Sequence, residues 1–221
     1  MSFEPSSNLD TEFFNVVEQA RLGSEIRDKA KQELIRQHEQ IQKELDMAAE
    51  FQRAVLPEVV DLPHLDICIG YRPYAPVSGD VYDFLQNREG ELAIFLDDAA
   101  GHGIAAALMT MMIHIGLDGI RRDLATDESV RILNRLIACR KTGRSVSAVF
   151  FHVTPSGYLT VTHAGHPSLI VIPANKDQLV QFVHGGYSLG VFAEEPVRYE
   201  EEGYQLSLGD KVLAYTDGVT E

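Results

Sequence analysis

"GELAIFLDDAAGHGIAAALMTMMIHIG", residues 90–116, carries an apolar run that ends in two carboxylates, Asp97 and Asp98. A Gly-His-Gly turn follows, and then a run of Ala, Leu and Met. The pattern predicts a strand whose tip bears acids, joined directly to a buried helix over 103–124 that is apolar almost all round. Upstream, "VYDFLQNREGELAIFLDD" reads as strand, Asn-Arg-Glu-Gly turn, strand, which makes a hairpin.

Working outward, "LDICIGYRPY" (65–74) alternates apolar and polar residues and predicts a strand. "DESVRILNRLIAC" (127–139) predicts a second helix, with Asp127 as its cap and Val130, Leu133, Leu136 and Ile137 on one face. "SVSAVFFHVT" (145–154) and "GYLTVTHAGHPSLIVI" (157–172) read as two strands around a Pro-Ser-Gly turn. "QLVQFV" (178–183) adds a strand, and "YEEEGYQLSLGDKVLAYTDG" adds two more around Gly209-Asp210. Many short antiparallel strands with two adjacent helices predict an α+β layered fold.

Residues 11–56 have a different texture. They contain no proline and one glycine, Gly23, and Leu34, Ile41, Ala48 and Val55 recur every seven residues. His38 and Gln52 interrupt this heptad seam at the alternate positions. A long helix is expected there, packing on its own domain or pairing with a second chain. Pro57 ends it. The expected organisation is a loose start over 1–10, a helical segment over 11–56 and a globular domain over 57–221.

The chain has 221 residues, with Lys+Arg 19 against Asp+Glu 33 and a formal charge of −14. That balance argues against nucleic acid and against anionic membrane surfaces as partners. No apolar run reaches the length of a membrane span and no signal-peptide pattern opens the chain, so a cytoplasmic location is expected. The two cysteines, Cys68 and Cys139, have no metal-ligand spacing and are expected to be buried free thiols.

Three segments put an Asp beside glycine at a strand end: "SGDVYDF" (Asp80), "LDDAAGHG" (Asp98) and "YTDGVTE" (Asp217). Each alone can be a turn aspartate accepting backbone N–H bonds. Three carboxylates converging on one point repel unless a cation or protons hold them together. Oxygen-only ligands favour Mg²⁺ or Mn²⁺ over zinc. Two such ions would activate a water for attack on phosphorus.

"PVSGDVYDF", "LDDAAGHGIAAALM", "VTHAGHPSLIVI", "GYSLGVF" and "LSLGDKVLAYTDGVTE" follow one another in an order that resembles the PPM (PP2C-like) serine/threonine phosphatases of the bacterial SpoIIE/RsbU type. "ELDMAAEFQRAVLPEV" resembles the linker helix that enters that domain, so the resemblance covers about 45–221. It implies a PP2C-like β-sandwich of antiparallel sheets flanked by helices, preceded by a long N-terminal helix. It implies two Mn²⁺ or Mg²⁺ ions and hydrolysis of phosphoserine or phosphothreonine without a phospho-enzyme intermediate. Asp80 matches the first metal acid, Asp98 the acid that bridges both metals, Ala99 the backbone carbonyl ligand and Asp217 the acid of the Thr-Asp-Gly motif. Asp80 and Asp98 are thereby the expected catalytic centre. His102 is expected to steady its turn, and His166 to be mainly structural.

The resemblance further implies a phosphorylated anti-sigma-factor antagonist of the STAS fold as substrate, an upstream sensor or receiver domain, and a homodimer through the N-terminal helix. Departures from the family pattern are Ser78 in place of a glycine, and Asp97 in place of the glycine before the central acid. Asp97 is expected to serve as an outer-shell ligand or to reset metal preference. Arg72 is the candidate for a phosphate-holding arginine. Family domains continue past the equivalent of Glu221 to a further metal Asp, so this domain is expected to be truncated at its C-terminus. The alternative expectations are a PPM-fold module that binds and sequesters a partner without turnover, and a coiled-coil adaptor.

Overall fold

The computed structural model describes residues 7–87, 90–120, 125–140, 142–175, 178–183, 185–192 and 198–220. Its first element, α1 (Ser7–Val55), is one continuous helix. It begins inside the segment expected to be a loose start, and residues 1–6 lie outside the described ones. The chain divides into two units, Met1–Met47 and Ala48–Glu221. In the first unit the apolar side chains Phe13, Phe14, Ile26, Leu34 and Ile41 are all exposed.

In the second unit, β1 (Asp80–Gln86) and β2 (Leu92–Ala99) form the expected antiparallel hairpin. Its Arg88 and Glu89 lie outside the described residues. Side chains alternate across a strand, so Val81, Asp83, Leu85, Phe95, Asp97 and Ala99 share one face. Asp80, Tyr82, Phe84, Ile94, Leu96 and Asp98 share the other. The hairpin extends through β3 (Val146–Val153), β4 (Tyr158–Ala164) and β7 (Glu201–Gln205) into a five-stranded sheet ordered β1-β2-β3-β4-β7. A second sheet is ordered β6-β5-β8, from β5 (Leu169–Ile172), β6 (Val180–Phe182) and β8 (Lys211–Leu213).

Two apolar clusters account for the layers. One lies between the large sheet and the helices α2 (Ile104–Asp118) and α3 (Thr126–Ala138), around Phe95, Ile113, Leu117, Leu133 and Phe150. The other lies between the two sheets, around Val149, Phe151, Leu159, Val161, Leu169 and Val171. Consecutive β3 residues therefore serve opposite cores, which is why that strand is apolar nearly throughout. The result is the α+β, PP2C-like arrangement of antiparallel sheets and flanking helices.

Several local expectations are corrected. Segment 157–172 is two strands: β4 belongs to the large sheet and β5 to the small one. The break falls at Gly165, whose φ of +69° suits glycine, and where a Cβ would land on Ser188. Segment 65–74 forms no ladder beyond an isolated Leu62–Leu65 bridge. Its exposure still alternates, with Leu65, Ile67, Ile69 and Tyr71 the better covered. Alternation reports one covered face, not backbone pairing.

Helix α2 is buried along Ala106, Met109, Ile113 and Leu117 but exposes Ile104, Leu108 and Ile115, so it is not covered all round. The expected end of that helix at 121–124 lies outside the described residues. Asp127 does not cap α3. The Thr126 backbone N–H instead donates to Glu201 at 3.0 Å, across 75 residues of sequence. Both cysteines are free, as expected, but exposed. Cys68 lies on the outward face of its alternating segment, and Cys139 closes the C-terminus of α3. No helix among the described residues is long and apolar enough to cross a membrane.

Candidate functional site

Asp80 opens β1 and Asp98 lies next to the end of β2, and the two are direct cross-strand partners. Cross-strand partners share a face, so both carboxylates project on the side away from the helices. An open cleft of about 740 Å³ adjoins Asp98, lined by Asp98, His102, Ser147, His166, Ser188 and Asp217 among others; Asp80 and Ala99 are not among its lining residues. Asp217 begins a single 3₁₀ turn, Asp217–Val219, just after β8. Strand tips from both sheets thus meet at one end of the sandwich.

Contacts tie these groups together. The Thr216 hydroxyl donates to an Asp80 carboxylate oxygen at 3.2 Å. The Asp80 backbone N–H donates to the Ser78 hydroxyl at 3.0 Å. Burial pushes the Asp80 carboxyl above its ordinary pKa, the Thr216 bond opposes that, and the negative charge of Asp217 adds to the rise. A hydrogen bond with Asp98 also acts on Asp80 and lowers it. Asp80, Asp98 and Asp217 therefore feel one another. Ala99 is stapled beside them, its N–H donating to the Gly79 carbonyl at 3.0 Å.

The donor set is all oxygen and carries concentrated negative charge, which fits a hard divalent cation. Such an ion would offset the burial, and with it the Asp217 charge, that raise Asp80. Among the described residues, no three His, Cys, Asp or Glu side chains are drawn into a closed ligand cluster.

Asp97 behaves differently from Asp98. It is fully buried on the helix face of the sheet, opposite to Asp98. Neither of its carboxylate oxygens has a well-formed hydrogen bond, although the Val81 backbone N–H gives some relief. Burial drives its pKa well up, and Asp80, Asp98 and Asp83 add to the rise. Its side chain lies on the sheet face opposite to that of Asp80 and Asp98, so strand geometry speaks against an outer-shell role in the cleft.

His166 sits at the break between β4 and β5, with Nδ1 3.1 Å from the Ser147 hydroxyl. Burial, aided by neighbouring His163, lowers its pKa to about 4. His102 is an exposed part of the cleft wall. Arg72 is exposed and does not line the cleft. Sequence reasoning missed Ser147, Ser188 and Thr216. Serines in strands and turns carry no distinguishing pattern, although Thr216 stood inside a motif already singled out. It also missed Arg144, whose Nη1 donates to the Ala100 carbonyl at 3.0 Å.

Against known proteins, the profile of the stage II sporulation protein E (SpoIIE) family matches residues 88–221, more than half of the chain. Phosphoserine phosphatase RsbU of Bacillus subtilis is 26% identical over 187 residues, 83% of this chain and 55% of RsbU. Phosphoserine phosphatase RsbP of the same organism is 26% identical over 189 residues, 81% of this chain and 45% of RsbP. This chain thus spans about half the length of these curated relatives. Among solved structures, the SiaA-PP2C domain of Pseudomonas aeruginosa aligns with a TM-score of 0.66 at 20% identity, over 79% of this chain and 71% of that one. That likeness concerns the fold.

Proposed function

The chain belongs to the SpoIIE family, and from that premise we propose that it hydrolyses phosphoserine or phosphothreonine on a protein substrate in the cleft beside Asp80 and Asp98. The observation that carries the reading is the cross-strand pairing of Asp80 with Asp98 on the cleft face, with the charge of Asp217 acting on Asp80. The likeness to two phosphoserine phosphatases supports the same chemistry. Asp80, Asp98, the Ala99 carbonyl and Asp217 would hold Mn²⁺ or Mg²⁺, two ions by family expectation. When bound, such ions supply Lewis acidity and an activated water for attack at phosphorus.

The chain's own residues do the positioning. The hairpin sets Asp80 and Asp98 in register, and Thr216 fixes the Asp80 carboxylate. The open cleft admits a phosphorylated side chain presented by another protein.

The substrate in this reading is a phosphorylated anti-sigma-factor antagonist of the STAS type. Regulation enters through α1, which would pair with a second copy and receive a signal from an upstream sensor or receiver domain. The exposed apolar residues along α1 support a helix that is covered by a partner. The last turns of α1 contact the site: Gln52 bonds the Ser78 backbone, two residues before Asp80.

The test is hydrolysis of 4-nitrophenyl phosphate and of a phosphoserine protein with Mn²⁺, with Mg²⁺ and with chelator. Turnover is expected to need metal and to vanish in Asp98→Asn. Metal-independent turnover, or full activity in Asp98→Asn, overturns the reading. Binding of a phosphoprotein with no turnover points instead to a sequestering module.

A further inference from the structure

Among the described residues, those that line the cleft include two acids, Asp98 and Asp217, and no lysine or arginine. One arginine is nevertheless fastened to its wall. Arg144 Nη1 donates to the carbonyl of Ala100, two residues past Asp98, at 3.0 Å. The two loops are close here, since a Cβ on Gly101 would lie 3.1 Å from that Nη1. Gly101 has a φ of +94°, a conformation that favours glycine.

The segment that carries Arg144 is held as firmly as the turn it touches. The Ala100 N–H donates to the Ser145 carbonyl at 2.9 Å. Val146 and Leu189 exchange two backbone bonds, at 3.0 and 2.8 Å. Arg144 is exposed, its guanidinium makes one hydrogen bond among the described residues, and it has no ion pair among them. A guanidinium offers five N–H donors in a planar fork. The rest of this fork makes no other hydrogen bond among the described residues, and it lies beside Ala100, a residue of the cleft wall.

We propose that Arg144 binds the phosphoryl group of the substrate. A phosphate monoester brings nearly two negative charges to a cleft that already holds Asp98 and Asp217. A guanidinium at its wall offsets that repulsion and can engage two phosphoryl oxygens at once. The alternative role, a mere anchor for the Ala100–Gly101 turn, affects folding but not phosphate affinity. Identification of the ligand as a phosphoester rests on the phosphatase reading above. Binding of phosphate does not require turnover.

Arg144→Ala and Arg144→Lys test the proposal by titration calorimetry with inorganic phosphate in the presence of Mn²⁺, and by 4-nitrophenyl phosphate kinetics. In Arg144→Ala, the phosphate Kd and the KM are expected to rise about tenfold or more, the loss of one charge-assisted bond. Arg144→Lys is expected to restore part of that. The Mn²⁺ affinity is expected to stay at the parental value, and the thermal midpoint to fall only by the loss of one exposed hydrogen bond. Equal phosphate affinity in the parent and in Arg144→Ala overturns the proposal, as does a parent chain with no phosphate affinity. A rise in KM confined to a phosphoprotein also overturns it, since Arg144 would then be reading acidic groups of the partner. Failure of the phosphatase reading shows separately. In that case the parent lacks metal-dependent turnover yet still binds phosphate through Arg144.

Discussion

Gln52 grips Ser78 by both of its backbone polar groups. The amide side chain donates to the Ser78 carbonyl at 2.8 Å and accepts from the Ser78 N–H at 2.9 Å. The glutamine is buried, 4% exposed, in the last turns of α1. Its side chain thus does what a neighbouring strand would do for a segment that has none. Ser78 in turn accepts from the Asp80 N–H through its hydroxyl, so the grip ends one step from the site.

Gln52→Ala leaves a buried N–H and C=O without partners. The expected cost is about 2–4 kcal/mol, read as a drop of several degrees in Tm. Metal-dependent turnover is expected to fall as well, because the strand start that carries Asp80 loses its support. Unchanged Tm and unchanged turnover would show that the contact is idle.

Asp97 and Asp98 are adjacent in sequence and face opposite sides of the sheet. Asp98→Asn is expected to abolish turnover. Asp97→Asn is expected to retain at least half of it, with a change in stability within about 1 kcal/mol, since the side chain lies on the opposite face and burial disfavours its charged form. Parallel assays and melts of the two variants check this. Equal loss in both would mean that Asp97 reaches the metals.

His166 gives stability a defined pH dependence. Burial lowers its pKa in the fold to about 4, below the ordinary histidine value of 6.5. Between those values the unfolded chain binds more protons than the folded one, so stability falls as pH drops through that window. The full contribution is about 3 kcal/mol. Denaturant melts between pH 7 and pH 4 are expected to show this slope, and His166→Gln is expected to flatten it. Identical slopes in parent and variant would assign the effect elsewhere.

Ile41 is 56% exposed on α1. If α1 pairs with a second copy, Ile41→Asp places a charge in the seam. Sedimentation is expected to shift toward monomer, with altered turnover and no change in Mn²⁺ affinity. Equal sedimentation and equal turnover would remove the pairing role.

Local features were legible in the sequence. The hairpin from Asp80 to Ala99, the two helices after it and the three Asp positions follow from alternation, helical period and turn chemistry. What escaped was set by partners far along the chain. Glu201 satisfies the start of α3 from another strand, which no reading of 125–139 could reveal. The pass from β4 to β5 looked like one strand because both halves are apolar, and Gly165 and Pro167 between them mark the division only once two sheets are seen. The face of Asp97 was fixed by parity within β2, yet the groups across the hairpin that act on it, Asp80, Val81 and Asp83, come from β1. Arg144 reaches the Ala100 carbonyl past Gly101, a relation between two loops 43 positions apart.

The bond from Thr216 to Asp80 spans 136 positions, and that span sets an order of assembly. The hairpin that pairs Asp80 with Asp98 is a local event, available early to a growing chain. The third acid arrives only after both sheets have been threaded, when a long loop must close at considerable entropic cost. A nascent chain therefore carries a half-built acidic pair long before it carries a competent cleft. On the proposed reading, turnover is then a late report that the two sheets have closed on one another.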